Sequence, residues 1–127
     1  MVQGVGTLVL WSYVGKQIKP SDFNDKNIQK QIQKKEIICI FPEGTIKGEG
    51  LKKGKRGVAY FAIKNEIPII PTAVIGTKGI LEKVRAMKRE RVKVVFGNPI
   101  FTKSGDNVDD ITAKTMQEIK KLLPKNY

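Results

Sequence analysis

The sequence has 127 residues, 24 Lys and Arg against 12 Asp and Glu, a formal net charge of +12, and no histidine. That length suits one domain at most, or part of one, and 40% hydrophobic residues supply a core and argue against a disordered chain. Without histidine, imidazole catalysis, histidine metal ligation and imidazole pH sensing are excluded within these residues; the single cysteine excludes an internal disulfide and a cysteine-cluster zinc site.

The excess positive charge favours an anionic partner: nucleic acid, an acidic membrane surface or a phosphorylated substrate. No stretch approaches the roughly 18–20 apolar residues that span a bilayer. Residues 1–15 carry no side-chain charge, but no basic segment precedes Leu8-Val9-Leu10-Trp11 and no small-residue cleavage site follows, so they do not read as a secretory signal. No internal repeat, low-complexity segment or long linker divides residues 1–127, which read as one unit.

Taken in chain order, Gly4 to Val14 is rich in β-prone residues without clean alternation, and its state stays open. Ser21 or Asp22 can cap a helix through Lys34, with Ile28 and Ile32 on one face. Glu36 to Phe41 reads as a fully buried strand, because a short apolar β-branched run suits a sheet covered on both faces. Cys39 within it reads as a packing residue in a reducing compartment rather than a nucleophile.

A glycine-containing loop, Pro42 to Gly54, precedes a short helix, Val58 to Lys64, that presents Val58, Phe61 and Ala62 to a core. Ile67 to Ile75 is a second buried strand that begins or bends at Pro68 and Pro71, since proline removes a ladder donor. Arg91 to Phe96 alternates charged and apolar residues, as a half-exposed strand does. The last helix starts at Asp106 or Asn107. Asp109 and Asp110 lie at its positive end, Lys120 and Lys121 at its negative end, and Pro124 stops it. Its apolar positions are Val108, Ile111, Ile119, Leu122 and Leu123. Strands alternating with helices define an α/β chain, with a central mostly parallel or mixed sheet flanked by helices.

The segment Phe41-Pro42-Glu43-Gly44-Thr45 directly follows a buried strand, where open α/β sheets collect ligands. Gly44 permits a tight turn that exposes backbone N–H groups, Thr45 adds a hydroxyl and Glu43 a carboxylate. Lys47, Lys52, Lys53, Lys55 and Arg56, against Glu49 alone, form a rim that attracts phosphate. A glycine-rich connector with solvated lysines accounts for the same composition. Two phosphate motifs fail on spacing: Glu49 stands where a Walker A loop needs its first glycine, and Lys53 where a G-x-G-x-x-G fingerprint starting at Gly48 needs its last.

Ile40-Phe41-Pro42-Glu43-Gly44-Thr45 resembles the F-P-E-G-T-R block of the glycerolipid acyltransferases of the lysophosphatidic acid acyltransferase type. Pro68-Ile69-Ile70-Pro71-Thr72-Ala73 resembles that family's V-P-[IV]-[IV]-P-[VT] block, and Lys52 to Ala59 its K-x-G-x-x-x-A connector. The strong likeness covers Ile37 to about Thr77; a weaker one runs from Val92 to Pro99. The resemblance implies transfer of a fatty acyl group from acyl-CoA or acyl carrier protein, without a further cofactor or metal, to lysophosphatidate or a related glycerol phosphate lipid. It carries Glu43, Gly44 and Thr45 over as acceptor-binding residues, with Lys47, Lys53 and Lys55 beside them and Pro68 and Pro71 shaping the pocket. It also implies a cytoplasmic protein peripheral to the membrane.

Three departures qualify the likeness. The family's His-x4-Asp base motif has no counterpart here, so no catalytic residue is assigned. Gly15-Lys16-Gln17-Ile18-Lys19 is a weak remnant of the block that follows that motif, without its arginine. Ile46 stands where the family has Arg, leaving Lys47 to meet the phosphate without the bidentate fork. The chain therefore reads as the C-terminal part of an acyltransferase domain, an incomplete one. It is either a fragment or a natural non-catalytic relative, and in both cases it is expected to be inactive alone.

Lys78 to Lys93 is a second basic stretch, readable as a solvated helix and strand edge or as a site of attraction to anionic headgroups. Trp11 and Tyr13 read as core residues or interfacial anchors. A nucleic-acid-binding module is the rival reading, but Phe23, Phe41, Tyr60, Phe61, Phe96 and Phe101 lie mostly on apolar faces rather than interleaved on a basic strand, so no nucleic acid is expected.

Overall fold

The computed structural model describes residues 7–9, 25–35, 37–43, 51, 53–76, 80–89 and 91–125. In chain order these form β1 (Thr7–Val9), α1 (Asp25–Gln33), β2 (Cys39–Ile40), α2 (Gly57–Asn65), β3 (Thr72–Ile75), α3 (Ile80–Arg85), β4 (Lys93–Phe96) and α4 (Val108–Leu122).

Helix α4 starts where side-chain chemistry satisfies its first free N–H groups. Asn107 has an extended backbone, and its Oδ1 accepts from the backbone N–H of Asp109 at 2.8 Å and of Asp110 at 3.1 Å. Asp106, the other candidate cap, instead accepts from the Lys103 N–H at 2.9 Å and closes the preceding turn. Leu123 is extended at the far end, where Pro124 forbids another turn. One stripe of α4, with Ile111 partly buried and Thr115 and Ile119 buried, packs against α2 and β3.

Helix α2 buries Val58, Ala59, Phe61, Ala62 and Ile63, a broader apolar face than Val58, Phe61 and Ala62 alone. It ends with Glu66 in the left-handed region (φ 52°), its N–H donating to Ile63 O at 3.3 Å while the Ile67 N–H donates to Ala62 O at 3.1 Å. Thr102 Oγ1 adds bonds to Ala62 O and Ile67 O, both 2.9 Å. This buried hydroxyl ties the approach to α4 onto the end of α2. Thr102→Val keeps the shape and removes the donor. It should cost about 1–2 kcal/mol, read as a lower melting temperature with an unchanged far-UV circular dichroism spectrum.

Strand β3 begins directly after Pro71 and pairs antiparallel with β4 in the register Thr72↔Phe96, Ala73↔Val95, Val74↔Val94 and Ile75↔Lys93. Ile69, one turn of pleat earlier, exchanges backbone bonds of 2.9 and 2.7 Å with Ile100. Between them, the Gly97 N–H donates to Pro71 O at 2.7 Å. The prolines thus sit where the ladder starts and bends, as their missing N–H groups require. Strand β1 pairs antiparallel with β2, with an irregular register between Thr7 and Val9, and also lies close to β3.

The α/β class holds, in an incomplete form. The described ladders, however, are two antiparallel pairs, β1–β2 and β3–β4, rather than one parallel or mixed sheet. Helix α2 does connect β2 to β3, as in a parallel crossover, but those two strands share no ladder among the described residues.

The core has two adjoining parts. Val58, Ala62, Ile69 and Ile100 form one, and Ile28, Ile38 and Phe61 the other, with Ile40 packed against both. Ile28 and Ile32 do share the inner face of α1; its expected cap at Ser21 or Asp22 lies outside the described residues, as do Trp11 and Tyr13.

The segment around β2 corrects the expectation of a fully buried strand. Ile38 is buried, but Ile37 and Phe41 are 51% and 41% exposed, and Cys39 is exposed as well. Pleating turns alternate side chains outward, and an unbroken apolar run does not reveal that only one face is covered. Cys39 is therefore not a buried packing residue. Partial desolvation still pushes its thiol pKa up, which disfavours the thiolate and any nucleophilic role.

Candidate acceptor-binding site

Strand β2 delivers the chain into a turn at Pro42 and Glu43, both buried. The Lys55 N–H donates to Pro42 O at 2.7 Å, so the two stems of the loop meet at its base. A carboxylate with little solvent is costly unless hydrogen-bonded or set near positive charge, so the placement of Glu43 at this base is an organised feature.

The returning stem, Lys53 to Arg56, runs into the positive end of α2. Arg56 occupies the cap position without a side-chain cap bond, and α2 has no acidic residue in its first turn to offset its dipole. Lys53 and Lys55 are exposed beside it. Arg56, counted with the phosphate-attracting rim, is committed elsewhere: its guanidinium forks onto Asp109 of α4, Nε to Oδ1 at 2.9 Å and NH2 to Oδ2 at 3.1 Å. Both side chains are about two-thirds exposed, so the pair orients more than it stabilises.

Gly54 lets this stem lie against α4. A Cβ there would stand 2.6 Å from Met116 Cγ and 2.7 Å from Met116 Sδ. Pro42, Lys55, Val58, Ala59, Thr112, Thr115 and Met116 line a shallow crevice there, too tight to hold a water molecule. The α4 wall had no sequence signal. Its residues lie more than fifty positions from the loop, and ordinary helix-face residues carry no mark of what packs against them.

The structure brings Glu43, Lys53 and Lys55 to one loop base, while Gly44, Thr45 and Lys47 lie outside the described residues. Pro68 and Pro71 are set apart from it. Pro68 is exposed beyond the far end of α2. Pro71 is buried near Leu122 and Gly97, ten helical positions, or about 15 Å, along α4 from Thr112.

The acyltransferase family model matches residues 17–75, a little under half of the chain, from ahead of α1 to the end of β3. This span holds both loop stems, β2, α2 and the Pro68–Pro71 segment. The chain is also similar to a probable 1-acyl-sn-glycerol-3-phosphate acyltransferase of Mycoplasma pneumoniae (strain ATCC 29342 / M129 / Subtype 1), 26% identical over 90 residues. That alignment takes in 64% of this chain and 34% of the relative, so the chain spans about a third of the relative's length. No solved structure matches the chain significantly. The residues that form both stems of the loop, Pro42, Glu43 and Lys53 to Arg56, thus lie within the span that is similar to the acyltransferase family.

Proposed function

We propose that this chain supplies the acceptor-binding part of an acyltransferase of phospholipid biosynthesis. In this reading an acyl-CoA or acyl carrier protein thioester gives its acyl group to a free hydroxyl of lysophosphatidate. The ester C–O bond forms, the thioester C–S bond breaks, and the acceptor proton ends on the released thiol. The observation that carries the reading is the buried Glu43 at a loop base whose returning stem bears Lys53 and Lys55. A carboxylate can accept from a glycerol hydroxyl, and ammonium groups can meet its phosphate.

A hydroxyl is a poor nucleophile without a base, and such a base contributes about 10²–10⁴-fold. The 127 residues contain no imidazole, so this chain alone is expected to bind acceptor without turning it over. The acceptor is a membrane lipid, and an anionic membrane surface on the cytoplasmic side is the partner this reading requires. Among the described residues no helix is long and apolar enough to cross a membrane.

The test is binding of labelled short-chain lysophosphatidate against a labelled oligonucleotide, each at two salt concentrations. Saturable lysophosphatidate binding that persists at the higher salt supports the reading. Oligonucleotide binding without lysolipid binding overturns it in favour of a basic nucleic-acid module. Ester formation from acyl-CoA by the purified chain would overturn the expected inactivity.

A further inference from the structure

The segment around β2 turns one apolar side to water. Ile37, Cys39 and Phe41 are exposed, while Ile38 is buried and Ile40 packs into the core, the alternation of a pleated strand. No charged residue interrupts Ile37 to Phe41. Fully extended, the four steps from Ile37 to Phe41 span about 13 Å. Pro42 and Glu43 follow this run directly, and Lys34 and Lys35, both exposed, stand just before it. The outward side of β2 is therefore an apolar track that leads away from the proposed acceptor site and stops at a pair of cations.

An acceptor held at Glu43 has to send its acyl tail somewhere, and the other described surroundings of the loop base do not suit one. The crevice among Pro42, Val58, Thr112 and Met116 is too tight even for a water molecule. The returning stem presents Lys53 and Lys55, exposed ammonium groups that a hydrocarbon would strip of water at a cost. Only the run from Phe41 back to Ile37 offers apolar surface that adjoins Glu43 along the chain and is open to a ligand.

We infer that the outward side of Ile37, Cys39 and Phe41 receives the acyl tail of the lysophosphatidate whose headgroup meets Glu43, Lys53 and Lys55. The inference rests on the acceptor reading above and adds to it a preference for tail length. With carbon–carbon bonds of about 1.5 Å, an extended tail advances roughly 1.25 Å per carbon, so about ten carbons fill the track. Past them lie Lys34 and Lys35, where further methylenes meet charge instead of apolar surface. A second copy of the chain is a poor cover for this side, because two chains of net charge +12 repel each other.

Isothermal calorimetry of the full chain with butanoyl, hexanoyl, octanoyl, decanoyl and tetradecanoyl lysophosphatidate, each below its micelle concentration, tests this. A fully buried methylene is worth about fourfold in affinity, and a track that covers one side of the tail about half that free energy. Binding should therefore tighten roughly twofold per methylene from butanoyl to decanoyl and level off by tetradecanoyl. Decanoyl lysophosphatidate at about ten times its Kd should slow maleimide alkylation of Cys39 about tenfold by mass action. Butanoyl lysophosphatidate at the same multiple of its Kd should leave the rate as it is. Cys39→Asp, which sets a charge on the track, should remove most of the gain and leave the decanoyl and butanoyl affinities within about threefold of each other.

Equal affinity across the series overturns the inference, as does a tighter decanoyl complex in which Cys39 is alkylated at its free rate. So does a Cys39 that is slow to react in the chain alone, either at every concentration, when the chain itself covers it, or only at high concentration, when a second copy does. The outcomes also separate the two readings. If butanoyl lysophosphatidate binds through Glu43 and longer tails add nothing, the track fails alone. If longer tails bind and protect Cys39 while Glu43→Ala changes nothing, the acceptor site fails alone. If no member of the series binds, both fail.

Discussion

Glu43→Ala should weaken lysophosphatidate binding by roughly 10–100-fold, the largest single-residue effect expected on the proposed site. Glu43 is 9% exposed, so an acceptor hydroxyl that reached it would share a bond with a charged acceptor in a setting poor in water. Such bonds contribute about 1.5–3 kcal/mol, and each 1.4 kcal/mol is tenfold in affinity. Lys83→Ala, on α3 and away from the loop stems, should change binding less than about twofold, because a single distant cation contributes only screened attraction. Isothermal calorimetry with short-chain lysophosphatidate reads both values, and Glu43→Gln, which keeps the size and an acceptor oxygen, should fall between them. Equal effects of Glu43→Ala and Lys83→Ala would remove the loop base as the site.

Ile69→Ala should destabilise the fold by about 3 kcal/mol, lowering the melting temperature by on the order of 10 °C. Ile69 is 0% exposed and packs with Val58, Ala62 and Ile100, where three separate segments of chain meet. Truncation there removes the transfer free energy of the lost methyl and methylene groups. It also leaves a cavity that the backbone bonds to Ile100, 2.9 and 2.7 Å, hold open. Ile69→Val, losing one methylene, should cost about 1 kcal/mol. Thermal melts followed by circular dichroism distinguish the two. A loss below 1 kcal/mol for the alanine variant would mean that the β3–β4 unit is not joined to α2 through this residue.

The position of Ile69 between Pro68 and Pro71 shows why parts of the fold could be read in advance. A proline lacks an N–H whatever surrounds it, so the start of β3 was legible. The cap of α4 was legible to within one residue for a similar reason: Asn and Asp both offer an oxygen, and only the turn closed by Asp106 on Lys103 decides between them. Strand polarity was not legible, because pairing depends on which distant segment arrives alongside. The exposure of Ile37, Cys39 and Phe41, and of Val92, Val94 and Phe96, was hidden for the same reason. Apolar letters record a tendency to be covered, not whether a cover exists.

The site divides along the same line. The turn at Pro42 and Glu43, the cations after it and the family likeness are properties of neighbouring residues in the chain, and covalent order alone carries them. That Arg56 spends its guanidinium on Asp109, that Gly54 lies close against the Met116 side chain, and that Pro68 and Pro71 stand apart from the loop are decided by where α2 and α4 pack. Local backbone chemistry acts over a few residues and is written in them. Proximity between residues fifty positions apart exists only after the apolar faces of the helices and strands have found one another.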